Sequence, residues 1–138
     1  MVAVPDPKRE RLRFESFSLE GFPNGRCSTR VQLEWEGGAV YTGEAEGIKT
    51  MEGELRTAAL ATLKALSTAT NGSLTLNLIG VKAVRVFDTW VIIAAARGHN
   101  SGEAVRLTGS YTCEEDDVGR GAVLALLNAT NRVLSGAV

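Results

Sequence analysis

The sequence predicts an α+β fold: two tandem βββα units forming a two-layer sandwich of antiparallel sheet, with both helices on one face. Three observations predict it. The hydrophobic period reads strand, strand, strand, helix, and then runs through the same order again. Residues recur between the two runs at nearly constant separations, as an internal repeat requires. The chain of 138 residues is long enough for one buried core and too short for two ordinary ones. The expected organisation is therefore a single domain, residues 1–138, with a first unit over 11–70 and a second over 73–135.

The residues through Pro7 read as a loose lead-in. Leu12, Phe14, Phe17 and Leu19 then form an extended segment whose alternation slips at Ser16-Phe17, the mark of a bulge. Gly21-Phe22-Pro23-Asn24-Gly25 is a loop by its turn residues. Val31, Leu33 and Trp35 alternate with polar residues as a half-buried strand does. Gly37-Gly38 turns the chain, and Ala39 to Glu46 returns as a third strand. Gly43 inside that strand predicts a bulge or a close backbone approach. From Thr50 the period becomes helical, with Leu55, Ala59, Leu63 and Leu66 on one side. Thr50 is the expected N-cap, and Glu52 and Glu54 suit the positive end of the helix.

Asn71-Gly72 ends that helix. Leu74, Leu76 and Leu78 open a strand that continues or bends through Val86. Trp90 to Ala96 is nearly all apolar, as expected of a central strand or one buried on both faces. Gly98 to Gly102 reads as a hairpin loop with His99 at its tip. Ala104 to Cys113 is the last strand, and a second helix runs from about Asp117 to Leu134. Leu12 and Phe14 match Leu74 and Leu76 at a separation of 62, and Val31 matches Val91 at 60. Thr42-Gly43 matches Thr108-Gly109 at 66, and Ala58 to Ala65 matches Ala122 to Ala129 at 64.

Composition excludes several kinds of function. Fifteen Lys and Arg against sixteen Asp and Glu leave a net charge of −1, not the cationic face that nucleic acid requires. The one basic cluster, Lys8, Arg9, Arg11 and Arg13, reads as a solvated arm. No run approaches the ~20 apolar residues of a membrane span, and the N-terminus lacks a signal peptide's apolar core, so a cytoplasmic protein is expected. One histidine and two cysteines, far apart, disfavour metal sites and triad chemistry, and Cys27 and Cys113 read as small apolar fillers. No cofactor or metal is expected.

Three features remain. Glu114 to Asp117 is a run of four carboxylates, read first as favourable charge at a helix N-terminus. Asp117 is also a candidate N-cap. The second helix is apolar on a wide arc, as a helix buried on more than one side would be. Gly119 and Gly121 near its start cost helix propensity, which predicts close approach by another backbone or a ligand. Asn128 and Asn131 stand among its apolar positions, suited to the helix surface, to local hydrogen bonds, or to contacts in a pocket or interface.

The paired units resemble the C-terminal regulatory domain of 2-isopropylmalate synthase and citramalate synthase, over roughly Arg11 to Leu134. That family's second unit ends in a helix of pattern D-I-x-x-A-S-x-x-A-Y-x-x-A-L-N. Asp117-Val118, Gly121-Ala122, Ala125-Leu126 and Ala129-Thr130-Asn131 take those places without a gap. Ala45-Glu46-Gly47 falls where the family carries Gly-x-Gly-Pro-Val-Asp-Ala, here without Pro, Val and Asp. The resemblance implies a domain that dimerises and holds a branched-chain amino acid, with catalysis left to a separate barrel.

The expected function is thus a non-catalytic, regulatory-type module. It would homodimerise and bind a small ligand such as an amino acid. The site is placed at Gly47, Gly109, Asp117, Val118, Gly121, Ala122 and Asn131. Helix N–H groups there favour a carboxylate, the acidic run opposes one, and an ammonium group would meet Asp117. The alternative is a structural or protein-interaction module without a small ligand, its partner surface the apolar arc of the second helix.

Overall fold

The computed structural model describes residues 11–35 and 38–134. The lead-in through Pro7, the basic residues Lys8 and Arg9, and the turn residue Gly37 lie outside them. The chain runs β1 (Leu12–Gly21), β2 (Arg26–Trp35), β3 (Val40–Ile48), α1 (Met51–Ala69), β4 (Leu74–Val86), β5 (Thr89–Asn100), β6 (Glu103–Cys113) and α2 (Val118–Leu134). The strands form two antiparallel sheets of three, ordered β1-β2-β3 and β4-β5-β6. The α+β class and the repeated βββα order are as the sequence predicts.

Each helix packs on the last two strands of its own unit and on the first strand of the other. α1 lies on β2 and β3 and reaches β4, while α2 lies on β5 and β6 and reaches β1. The two helices also touch each other, so one continuous core lies beneath both. The arrangement follows from the sequence of α2. Val118, Ala122, Val123, Ala125, Leu126, Leu127 and Ala129 are all buried, a wider arc than one sheet covers. That arc is covered within the chain, so it is not a free partner surface. Asn131 closes the same contact. Its Oδ1 accepts from the Leu12 N–H at 3.1 Å, and its Nδ2 donates to the Leu12 carbonyl at 2.9 Å.

Thr50 caps α1, its hydroxyl accepting from the Gly53 N–H at 3.0 Å. Before α2, Glu115–Asp117 form a 3₁₀ turn closed by the Asp117 N–H on the Glu114 carbonyl, and the helix itself begins at Val118. Gly43 makes no bulge but does make a close approach: a methyl group added there would stand 1.9 Å from the Ala61 carbonyl oxygen. Gly109 stands in the same relation, 2.0 Å from the Ala125 carbonyl oxygen. In each half, then, a helix backbone sits directly on a strand glycine, one half repeating the other at matching positions.

Register corrects the repeat in two places. The β1–β2 ladder shifts between Phe14 and Ser16 and the β4–β5 ladder between Leu78 and Gly80, so the bulges fall at Glu15 and Ile79. Those positions are 64 apart, which pairs Leu12 with Leu76 rather than Leu74. Val31 lies opposite Gly43 and Ala94 opposite Gly109, so Val31 corresponds to Ala94 and not to Val91.

The second sheet differs from expectation in its turns as well. Gly98, His99 and Asn100 are paired in the β5–β6 ladder, and only Ser101-Gly102 turn. Gly98 serves a close approach instead, since a methyl group there would lie 1.9 Å from the Thr75 carbonyl oxygen. The β4–β5 turn is Phe87-Asp88, both at positive φ (50° and 62°). β5 is central, as expected, yet only one of its faces is buried: Ile92, Ala94 and Ala96 face the core, and Ile93 is 41% exposed.

Two substitutions test this packing. Gly109→Ala should lower unfolding free energy in urea by about 3 kcal/mol, because the strand and the α2 backbone cannot both keep their places. Asn131→Asp should lower it by about 1–3 kcal/mol, since a carboxylate cannot donate to the Leu12 carbonyl. Wild-type stability in either variant would contradict the packing described.

Candidate functional site

A groove of about 740 Å³ lies between the start of α1 and strand β4. Leu55, Val81, Ala83, Trp90, Ile93 and Ala95 supply its apolar lining, and Glu52, Arg56 and Lys82 its charged side chains. Its volume is in the range of small-molecule sites. Trp90 adds a polar feature. Among the described residues, its Nε1 is the one buried side-chain nitrogen or oxygen without a hydrogen-bond partner. The other tryptophan is satisfied, with Trp35 Nε1 donating to the Ala69 carbonyl at 3.0 Å. The Trp90 ring lies under the Arg85 guanidinium, 5.5 Å from its centroid, and its N–H is closed off from the surface.

Aligned by register, Phe17 corresponds to Val81 and Cys27 to Trp90, and the helix contacts of Gly43 and Gly109 pair Gly119 with Leu55. In the first unit the Phe17 ring lies against Gly119, 2.6 Å from where a Cβ would stand. In the second unit valine stands on the strand and the buried Leu55 on the helix, so the larger side chain changes sides.

A second exchange of volume fills its space in both halves. Gly47 sits under Thr57, where a Cβ on the glycine would meet the threonine methyl at 2.5 Å. At the equivalent place Cys113 lies on the strand and Gly121 on the helix, 3.0 Å from Cβ to Sγ. Thr57 also meets Thr29 hydroxyl to hydroxyl at 3.0 Å, where the second unit packs Ile92 against Gly121. Gly47, Gly109 and Gly121 therefore serve strand–helix packing.

The residues expected to form a site are placed as follows. Asp117 and Gly121 come together, lining a recess of about 260 Å³ with Cys113, Glu114, Arg120 and Thr89. Val118 and Ala122 are buried in the core, and Asn131 is engaged with Leu12. Gly109 lines a separate hollow with Asn128 and Arg132, while Gly47 lies on the other sheet. Glu114, Asp116 and Asp117 are exposed. Among the described residues no three of His, Cys, Asp and Glu are grouped to hold a metal ion. Sequence reading missed Trp90 and the groove, whose lining from α1, β4 and β5 carries no motif.

Both cysteines are free thiols. Burial pushes the Cys113 thiol above its ordinary 9.0, and the carboxylates of Asp117, Glu114 and Asp116 push it the same way. At neutral pH the group is therefore a thiol and not a nucleophile. Comparison with known proteins finds no matching family model and no matching curated protein.

Cys113 provides a check on the electrostatics of the recess. Its alkylation by iodoacetamide should be slower than that of a free thiol at pH 7–8 and should climb about tenfold per pH unit toward pH 9. Asp117→Asn should speed it, because one carboxylate that opposes the thiolate is gone. A wild-type rate equal to that of free cysteine would contradict this description of the recess.

Proposed function

We propose that this chain is a non-catalytic, regulatory-type recognition module of the cytoplasm that associates with its own copy. Its recognition surface is the groove between α1 and β4. The observation that carries the reading is the groove's composition: an apolar lining with Arg56 and Lys82 against a single carboxylate, Glu52. Such a surface recognises an apolar group bearing an acceptor or a negative charge. The resemblance of the α2 spacing to a dimerising regulatory domain supports the same reading.

The groove's volume favours a second reading, in which it takes a small amphipathic ligand such as an amino acid. The apolar side chain would lie on Val81 and Ala83, and the carboxylate would meet Arg56 or Lys82.

Sedimentation equilibrium should give twice the chain mass of 14.7 kDa at micromolar concentration. A single-chain mass throughout that range would remove the assembly reading. Isothermal titration with leucine, isoleucine and valine tests the second reading, which predicts heat that Lys82→Glu diminishes. No heat with any of the three would leave the assembly reading alone.

A further inference from the structure

We infer that the β4–β5 hairpin tip, Phe87 with Asp88, fills the α1–β4 groove of a second copy of this chain. The inference rests on the assembly reading above and names the surfaces that meet.

Phe87 is the starting point. It is 97% exposed, far more than any other large apolar side chain among the described residues. It also holds a positive φ of 50°, in a turn whose second residue is at 62°. Two-residue turns of this kind favour Asn-Gly, and a bulky side chain there is a steric exception. Phenylalanine thus costs conformational energy at this position and gains no contact within the chain. Val86 beside it is 39% exposed, so the tip as a whole is apolar.

The groove offers what the tip needs. Its volume of about 740 Å³ is ample for an aromatic ring, and Val81, Ala83 and Trp90 give it an apolar lining. Charge agrees as well. Asp88 lies next to Phe87 at the tip, and the groove presents Arg56 and Lys82 against Glu52, two cations to one anion. Arg56 and Lys82 are exposed, and neither is ion-paired among the described residues.

Tip and groove belong to the same hairpin. From Ala83 to Phe87 the strand advances about 13 Å. Two hairpins placed antiparallel about a two-fold axis exchange tips reciprocally, each giving one ring and receiving one. Both sites are satisfied in a closed dimer, and no groove remains for a third copy. Among the described residues β4 is an edge strand with no strand neighbour on its outer side, which leaves room for the approach.

Sedimentation velocity of three variants tests the inference. Phe87→Asn suits the positive φ, so it folds, and circular dichroism verifies that. It should weaken the dimer by roughly thirtyfold or more, as loss of a buried aromatic anchor does. Asp88→Lys and Lys82→Glu should each weaken the dimer, and a one-to-one mixture of those two chains should restore it. In the mixture each tip meets a groove of opposite charge.

A wild-type dimer that Phe87→Asn leaves intact would overturn this interface and leave self-association standing. So would failure of the charge-swapped mixture to associate. A wild-type chain that is monomeric throughout the micromolar range would overturn both readings. Loss of binding to anionic phospholipid vesicles in Phe87→Asn, with the dimer unchanged, would assign the tip to a membrane surface and overturn the inference.

Discussion

Each helix roofs a strand that belongs to the other unit, and the rest of the structure depends on that exchange. α2 covers β5 and β6 and extends over β1, where Asn131 takes both backbone groups of Leu12. α1 does the same toward β4. A unit of about half the chain buries too little apolar surface to hold itself together. Crossing the helices over the seam merges two small cores into one. The buried residues of both units accordingly form a single cluster, from Leu12 on β1 to Leu127 on α2.

That cross-bracing constrains volume at every strand–helix contact, and the two units meet the constraint differently. Gly43 and Gly109 solve it identically, with a helix backbone lying on a strand glycine. Gly47 with Thr57 and Cys113 with Gly121 solve it in opposite senses, the larger side chain changing sides. Phe17 with Gly119 and Val81 with Leu55 are a second exchange of this kind, the larger side chain again changing sides. Where the start of α1 meets the edge of the second sheet a groove remains at the surface. The hairpin tip carrying Phe87 is the occupant proposed for it.

Much of the fold was legible in the residues. The change from alternation to helical spacing at Thr50, the cap at that residue, the close approach at Gly43 and the breadth of the α2 apolar arc each have a local cause. Register was less legible. Val31 and Val91 share an identity, yet the ladders place Val31 with Ala94, because the face a residue occupies and not its letter defines the repeat. The turn at Phe87-Asp88 was hidden because it lacks the glycine or asparagine that its geometry favours. Gly98 and Asn100 misled in the other direction, turn residues by type that are paired in a strand. Of the expected site, only Asp117 and Gly121 come together. The groove had no motif at all. Its lining comes from α1, β4 and β5, which the fold alone brings together.

The central claim is that the groove of one copy holds the ring of another. Isotope-filtered NOE spectroscopy on a mixture of labelled and unlabelled chains reads that contact directly. The account predicts intermolecular NOEs from the Phe87 ring to the methyl groups of Val81 and Ala83. A sample that sediments as a dimer and shows no NOE between Phe87 and these groove residues would contradict it.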